Sequence, residues 1–236
     1  MPIKNRNIGK GAAIDLAKLE WAGTRLHYED FDDDTAGDVD NFYGLEKVVD
    51  GGTAAVSTAI NSCLVLTSAG GNRKAVVGGS NQWSSDRDCR FDANLSTIFL
   101  DSQRVNVKIG FVDVAGARDK DADGAAGSDN SAFFMYDSGD TGSTTTWQFR
   151  VVNAAGTQTV DTERTVVTSS TPQKLSVELQ ESGDVVAKID GVQISNALNK
   201  VRASRTDWVP FVRLAGETSN SQTVNIDSWS TQEDRS

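Results

Sequence analysis

Three aspartates at alternate positions, Asp119, Asp121 and Asp123, stand directly before Gly124 and have the spacing of a calcium-binding loop. An EF-hand loop takes side-chain oxygens from positions 1, 3 and 5, needs glycine at position 6 and closes with a bidentate Glu at position 12. Asn130 stands at position 12 here, and an amide cannot chelate as a carboxylate does. We therefore expect a solvated acidic connection between strands that binds calcium weakly or not at all, with a loose calcium site as the alternative.

The side chains that nucleophilic or metal-assisted catalysis needs are scarce in this sequence. His27 is the only histidine, and no G-x-S-x-G elbow accompanies it to complete a Ser-His-Asp hydrolase. Walker, Rossmann and zinc-ligand spacings are also missing from the sequence. We therefore expect no enzymatic activity and no cofactor, and we expect His27 to be an ordinary strand residue.

Carbohydrate binding would use exposed aromatic rings, and the candidates are Trp83, Tyr136, Trp147 and Trp208. Trp147, Trp208 and Phe211 lie inside segments that alternate like strands, so we expect these three side chains in the core. Trp83 alone lies in a polar stretch, and exposed aromatic side chains often anchor contacts. Trp83 is therefore the aromatic residue that we expect to meet a ligand or a partner.

The chain is strongly acidic, since its 236 residues carry a formal net charge of −10. Such a chain repels polyanions, so we expect no nucleic-acid partner. No apolar run approaches the roughly 18 residues that span a bilayer, and the polar N-terminus lacks the apolar segment of a secretory signal. We expect a soluble chain that is made in the cytoplasm and has no membrane partner. In that reducing compartment Cys63 and Cys89 are expected to be buried free thiols, with a disulfide bridge as the alternative.

From about residue 25 onward the apolar residues recur with a period of two, which is typical of strands. No helical pattern alternates with these segments, so a parallel α/β sheet is not expected. The strongest hairpin signal is Asp190-Gly191, because this pair favours a tight turn between alternating segments. We predict an all-β chain of two antiparallel sheets packed face to face. The predicted strands lie at 25–31, 42–49, 63–67, 89–100, 104–114, 131–137, 146–152, 157–162, 174–179, 184–195, 207–216 and 223–229.

The order of strands and turns between about residues 30 and 230 resembles the concanavalin A-like jelly roll of tailed-phage virion proteins. The resemblance rests on a strand that ends in Asp-Gly beside its returning partner, on the W-x-P-F segment 208–211, and on a final strand with the core Val224, Ile226 and Asp227. It implies a structural virion protein, either a capsid decoration (cement) protein on the capsid surface or a related head or fibre component. The implied partner is the major capsid protein or another virion protein, with a homotrimer as the expected assembly.

Two other functions stay open for such a sandwich. The first is a carbohydrate-binding, lectin-like module of a phage head fibre or tail, and the second is a degenerate glucanase. Glycoside hydrolysis needs two carboxylates, which glucanases of this fold place on one strand as Glu-x-Asp-x-Glu. The acidic segment 29–34 has no second Glu at that spacing, and neither "VDTERT" nor "LQESGD" supplies one, so we expect a solvated strand end. The acidic residues of the segment are Glu29, Asp30, Asp32, Asp33 and Asp34.

Residues 1–24 differ in composition from the sandwich domain at 25–236, and we expect them to form an attachment arm that is extended or partly helical. The arm is basic whereas the body is acidic, so the arm can pair with a neighbour that the body repels. Its apolar side chains can offset the cost of ordering the arm if a partner buries them. A disordered tail is the alternative. The residues expected to bind the partner are Lys4, Arg6, Lys10, Ile14, Leu16, Leu19 and Trp21 in the arm, and Trp83 in the body.

Deletion of residues 2–20 tests the attachment arm. We expect the thermal melt of the sandwich to stay nearly unchanged, because the deleted residues precede the predicted strands. Assembly onto particles or into oligomers should be lost, as measured by analytical ultracentrifugation and by co-sedimentation with particles. Assembly of the truncated protein at full occupancy would show instead that a face of the sandwich is the anchor.

Overall fold

Sixteen β-strands and one short 3-10 turn, Ser85–Arg87, make up nearly all of the chain that the computed structural model describes. This confirms the predicted all-β chain. The described residues are 24–29, 37–38, 45–57, 63–68, 73–79, 83–99, 105–113, 130–137, 145–153, 155–166, 172–194, 200–201, 207–216 and 222–234. In chain order the strands are β1 (Thr24–Glu29), β2 (Gly37–Asp38), β3 (Leu45–Asp50), β4 (Thr53–Ser57), β5 (Cys63–Ser68), β6 (Arg73–Gly79), β7 (Cys89–Phe99), β8 (Val105–Val112), β9 (Ser131–Asp137), β10 (Thr146–Asn153), β11 (Gly156–Thr165), β12 (Gln173–Leu179), β13 (Val185–Ile189), β14 (Val192–Gln193), β15 (Val209–Gly216) and β16 (Gln222–Asp234).

The strands form two antiparallel sheets. The nine-stranded sheet has the order β14-β13-β12-β7-β16-β5-β4-β2, and β1 pairs with the end of β16 beyond β5. The seven-stranded sheet has the order β11-β10-β9-β8-β15-β6-β3. Strands β4 and β6 and the two-residue strand β2 were not predicted from the sequence. No helix in the described segments has the length and apolarity that crossing a membrane requires.

The main core lies between the sheets, because each strand turns alternate side chains towards the other sheet. On β12, Leu175, Val177 and Leu179 are buried in this core, whereas Lys174 and Glu178 are only partly buried on the outer face. The outer face of the nine-stranded sheet carries ion pairs such as Lys174 Nζ to Asp92 Oδ2 at 3.0 Å. One apolar face and one solvated face explain the period of two in this half of the sequence.

A chain of aromatic rings runs through the core from one sheet to the other. Trp229 of β16 lies 4.6 Å from Phe91 of β7, measured between ring centroids. Phe91 contacts Phe111 of β8 at 5.9 Å, and Phe111 contacts Trp208 at 6.5 Å, both edge to face. The Phe91–Phe111 contact joins the sheets, and edge-to-face pairs add about 0.5–1.5 kcal/mol each beyond the burial of their area.

Trp83 belongs to the core, and the prediction of an exposed Trp83 in a polar loop is wrong. Its side chain is 1% exposed. Its backbone forms a two-way bridge with Trp208, with Trp83 N to Trp208 O at 2.9 Å and Trp208 N to Trp83 O at 3.0 Å. A backbone bridge between two distant segments pulls the Trp83 side chain inward, which the polar neighbours in the sequence do not indicate. The predicted core positions of Trp147, Trp208 and Phe211 are confirmed.

The two cysteines are free and buried, as predicted. Burial raises the pKa of the Cys63 thiol to about 11, with a smaller contribution from the negative charge of Asp227. Burial also raises the pKa of Cys89, and the nearby Glu233 carboxylate acts in the same direction. Both side chains are therefore neutral thiols near pH 7 and act as small apolar groups.

A second apolar cluster covers the outer face of the seven-stranded sheet, where Phe133 of β9 meets Phe211 of β15 edge to face at 6.2 Å. These strands are not neighbours, since β8 runs between them and places Gly110 opposite both phenylalanines. The rings meet above β8 because Gly110 has no side chain. A Cβ at this position would lie 2.6 Å from the Cα of Phe133, which is closer than atoms can approach.

Substitution Gly110→Ala should lower the free energy of unfolding by about 1–3 kcal/mol or more, because the added methyl group overpacks the sheet. Urea denaturation followed by tryptophan fluorescence measures the change. Thr159→Ala on the exposed strand β11 is the control and should change stability by less than about 1 kcal/mol. Equal stabilities of the Gly110→Ala protein and the parent would contradict the close packing above β8.

Candidate functional site

A cleft of about 420 Å³ lies between the last strands of the two sheets, β11 and β14. The edge of β11 supplies one wall, and the β13–β14 hairpin supplies the other. The site therefore sits at an open side of the sandwich, where neither sheet continues among the described strands. The residues that line the cleft are Asp161, Thr162, Glu163, Arg164, Val192, Gln193 and Ile194.

The wall on β11 is an irregular stretch of strand. Gln148 of β10 pairs with Asp161 and Thr146 pairs with Thr165, so two residue steps on β10 face four on β11. The extra residues form a β-bulge, in which Glu163 adopts a positive φ of 56°. This conformation is uncommon for a residue with a side chain and costs of order 1 kcal/mol. Residues held in this way cluster at functional sites, so the bulge marks β11 as a candidate.

Two side chains hold the bulge in place. Asp161 Oδ1 accepts hydrogen bonds from the Glu163 backbone N at 2.9 Å and from Thr146 Oγ1 at 3.0 Å. Thr162 Oγ1 donates to the Trp147 carbonyl oxygen at 2.7 Å and accepts from the Arg164 backbone N at 3.2 Å. Thr162 is buried while its neighbours on both sides are exposed. The bulge is therefore a defined structure rather than a frayed strand end.

The opposite wall depends on the tight turn between β13 and β14. Asp190 and Gly191 have φ values of 52° and 77°, so the turn predicted from the Asp-Gly pair is confirmed. Asp190 anchors this turn to β12, because its backbone N donates to the Lys174 carbonyl oxygen and its Oδ1 accepts from the Lys174 backbone N, both at 2.8 Å. Val192 follows the turn and is 50% exposed, and no other large apolar residue is exposed among the residues whose burial the structure describes.

The cleft combines three kinds of groups that bind polar organic molecules. The carboxylates of Asp161 and Glu163 accept hydrogen bonds, and the Arg164 guanidinium donates them. The Gln193 amide can do both, while Val192 offers an apolar surface. Because all five residues are exposed, a ligand can reach them without rearrangement of the core.

The outer face of the seven-stranded sheet also carries two buried charged groups. Lys108 of β8 and Arg213 of β15 lie opposite each other and are 0% and 6% exposed. The Lys108 ammonium stands 5.6 Å from the ring centroid of Phe133, which is a cation–π contact. Such side chains belong to the interior around the second apolar cluster, so the exposed polar groups of the cleft are the better candidate site.

None of the aromatic residues considered for glycan contact lies on the surface. Trp83, Trp147 and Trp208 are at most 1% exposed, and Tyr136 is 7% exposed. Burial raises the pKa of Tyr136, and the neighbouring Asp137 charge adds to the effect. Any glycan bound in the cleft would have to be held by polar groups and by Val192 rather than by a stacked ring.

Several predicted site residues lie outside the described part of the chain. These are the calcium-loop residues Asp119, Asp121 and Asp123, the acidic residues Asp30, Asp32, Asp33 and Asp34, and the arm residues Lys4, Arg6, Lys10, Ile14, Leu16, Leu19 and Trp21. Glu29 is the last residue of β1, and His27 lies within this strand as expected. Among the described residues no three His, Cys, Asp or Glu side chains are grouped as a metal site would require.

The cleft residues were missed because they come from two segments, 161–164 and 192–194, that only the fold brings together. One signal was present in the sequence "TVDTERT", where the apolar–polar alternation ends after Val160 and a run of polar residues follows. Such a break inside a strand indicates a bulge. The hairpin wall was predicted, but nothing in the sequence indicates which other strand it faces.

Comparison with solved structures defines the class of fold. The carbohydrate recognition domain of Emp47p matches 91% of this chain and 96% of its own length, with a TM-score of 0.61 and 12% identity. The β-glucanase of Bacillus licheniformis matches 89% of this chain and 98% of its own, with a TM-score of 0.58 and 12% identity. Basic winged bean lectin, solved with Tn-antigen, matches 89% of this chain and 98% of its own length, with a TM-score of 0.56 and 14% identity. No protein-family model and no curated protein sequence matches the chain.

The chain therefore has the concanavalin A-like jelly-roll fold that its sequence predicts. Identities of 12–14% show a common fold alone. Carbohydrate-recognition domains and a glucanase share this architecture, so the fold alone does not define a function.

Substitution Glu163→Gly tests the left-handed backbone conformation of residue 163 in the bulge. Glycine adopts a positive φ without a steric penalty, so we expect the melting temperature to stay the same or rise by a few degrees. Thr162→Val, which removes both hydrogen bonds of the buried hydroxyl, should instead lower stability by about 1–3 kcal/mol. Differential scanning calorimetry measures both. A clear loss of stability in Glu163→Gly would mean that residue 163 is not left-handed in solution.

Proposed function

We propose that this chain is a carbohydrate-binding domain. The observation that carries the proposal is the open cleft between β11 and β14, where exposed carboxylates, a guanidinium, an amide and one exposed aliphatic side chain converge. The shared fold of the Emp47p carbohydrate recognition domain and of winged bean lectin supports the same class of ligand. A volume of about 420 Å³ is also in the range of small-molecule sites.

The chemistry of the cleft suits a molecule with many hydroxyl groups. Each sugar hydroxyl both donates and accepts, so it is best matched by carboxylate acceptors beside guanidinium or amide donors. Asp161, Glu163, Arg164 and Gln193 provide this mixture on the two walls. Hydrogen bonds to charged groups are worth more than neutral ones, about 1.5–3 kcal/mol each, which compensates for the small apolar contact area.

The proposal is one of binding without catalysis. A glycosidase needs one carboxyl that donates a proton and a second that acts as nucleophile or base. Asp161 instead uses Oδ1 to accept two hydrogen bonds that hold the bulge, so its main task is structural. Of the two carboxylates that line the cleft, this leaves Glu163 as the one that does not hold the bulge.

A structural role in a phage particle is the second proposed function. The resemblance of the strand order to tailed-phage virion proteins supports it. The contrast in charge supports it as well, because the arm is basic whereas the body is so acidic that the whole chain has a net charge of −10. In this proposal the sandwich decorates the capsid surface, bound to the major capsid protein as a homotrimer, or forms part of a head fibre or tail. The two functions are compatible, since a glycan-binding module is a component that such a fibre can carry.

A glycan array probed with the full-length chain tests the first proposal. We expect binding to at least one class of glycan in the micromolar to millimolar range, and we expect a reducing-end assay to detect no cleavage of the bound glycan. Heat-unfolded protein is the control for non-specific adsorption. Absence of binding to every glycan would refute the carbohydrate-binding function, and release of reducing ends would make the protein a glycosidase.

A further inference from the structure

We propose that the cleft between β11 and β14 is the saccharide site and that it selects a neutral sugar, with Glu163 and Arg164 binding adjacent hydroxyl groups and Val192 contacting the apolar face of the ring. This inference rests on the proposed carbohydrate-binding function and narrows it to one place and one ligand class. The site lies at the edges of the two sheets and outside both sheet faces.

The bulge gives β11 an unusual arrangement of side chains. In a regular strand successive side chains point to opposite faces, so only every second residue can line one surface. Here the neighbouring residues Glu163 and Arg164 are both exposed and both line the cleft, whereas Thr162 before them is buried. Glu163 and Arg164 thus present an acceptor and a donor from neighbouring positions, which matches the donor and acceptor character of two hydroxyl groups on adjacent ring carbons.

The charge of the cleft decides against acidic sugars. Asp161 and Glu163 carry two negative charges and Arg164 carries one positive charge. Near the opposite wall, Lys188 and Lys174 form ion pairs with Glu178 and Asp92, which offset their positive charges. The whole chain, these residues included, carries a net charge of −10. A uronic acid or a sulfated sugar would therefore meet a repulsive field, whereas a neutral sugar would not.

Val192 explains how a site without an aromatic ring can hold a sugar. One face of many pyranose rings consists of C–H groups, and burial of this face against an apolar side chain is favourable. Val192 is the one exposed large apolar residue among those whose burial the structure describes, and it lies on the wall opposite the charged residues. A ring that lies between the walls can meet Val192 on one side and Glu163 and Arg164 on the other.

The test begins with the full-length protein on an array that contains neutral, uronic-acid and sulfated oligosaccharides. The best neutral binder is then titrated by calorimetry into the parent chain and three variants. Glu163→Gly removes the carboxylate at a position where glycine is sterically favoured, and Val192→Thr keeps the shape while replacing a methyl group by a hydroxyl. Glu181→Gln is the matched control, because this exposed acidic residue lies in the turn at the far end of the β12–β13 hairpin.

We expect neutral oligosaccharides to bind and acidic ones not to bind. The affinity should fall about tenfold or more in Glu163→Gly, as expected for loss of a hydrogen bond to a charged group, and severalfold in Val192→Thr. Glu181→Gln should bind as the parent does. Thermal melts of all variants exclude unfolding as the cause of a loss.

The outcomes separate this inference from the broader function. Neutral-glycan binding that is unchanged in both cleft variants would overturn the assignment of the site while leaving the carbohydrate-binding function in place. Preferential binding of uronic-acid or sulfated glycans would overturn the ligand class. A parent chain that binds no glycan would overturn the function and the inference together.

Discussion

The contact between the two sheets, made by the rings of Trp229, Phe91, Phe111 and Trp208, is the interaction on which the rest of the structure depends. Each sheet has an apolar face that would be unstable in water alone, and each large aromatic ring buries about 150–250 Å². At about 25 cal/mol per Å², one such ring contributes roughly 4–6 kcal/mol of burial. Because Trp208 also bridges to Trp83 through the backbone, the same contact fixes the segment that leads into β7.

Closure of the core between the sheets determines where the chain can present a site. The middle of the seven-stranded sheet is buried on both faces, with the main core on one side and the second apolar cluster on the other. The outer face of the nine-stranded sheet is polar, but its described charges are largely paired with each other. The edges are the remaining place for a site, and exposed polar residues line the cleft that β11 and β14 leave where they end their sheets.

The bulge in β11 illustrates how an edge strand acquires a function. A regular edge strand exposes backbone groups that can pair with another chain, and bulges and charges are common ways to prevent this. In β11 the bulge also leaves the neighbouring residues Glu163 and Arg164 both exposed at one cleft. The left-handed Glu163 is tolerated because Asp161 and Thr162 satisfy the backbone around it. Protection of the edge and formation of a polar site thus follow from the same local distortion.

The sequence by itself determined the features that depend on neighbouring residues. The alternation of apolar and polar residues predicted most strands and the two-sheet sandwich, and the Asp190-Gly191 pair predicted the turn between β13 and β14. Both predictions were possible because strand period and turn conformation are local properties. Only the tertiary structure decided that Trp83 is buried, since its position depends on a backbone bridge to Trp208, 125 residues away. It also decided that Glu163 and Val192 line the two walls of one cleft. Which strands become the edges of the sheets is set by long-range pairing, and no local pattern in a single sequence encodes that pairing.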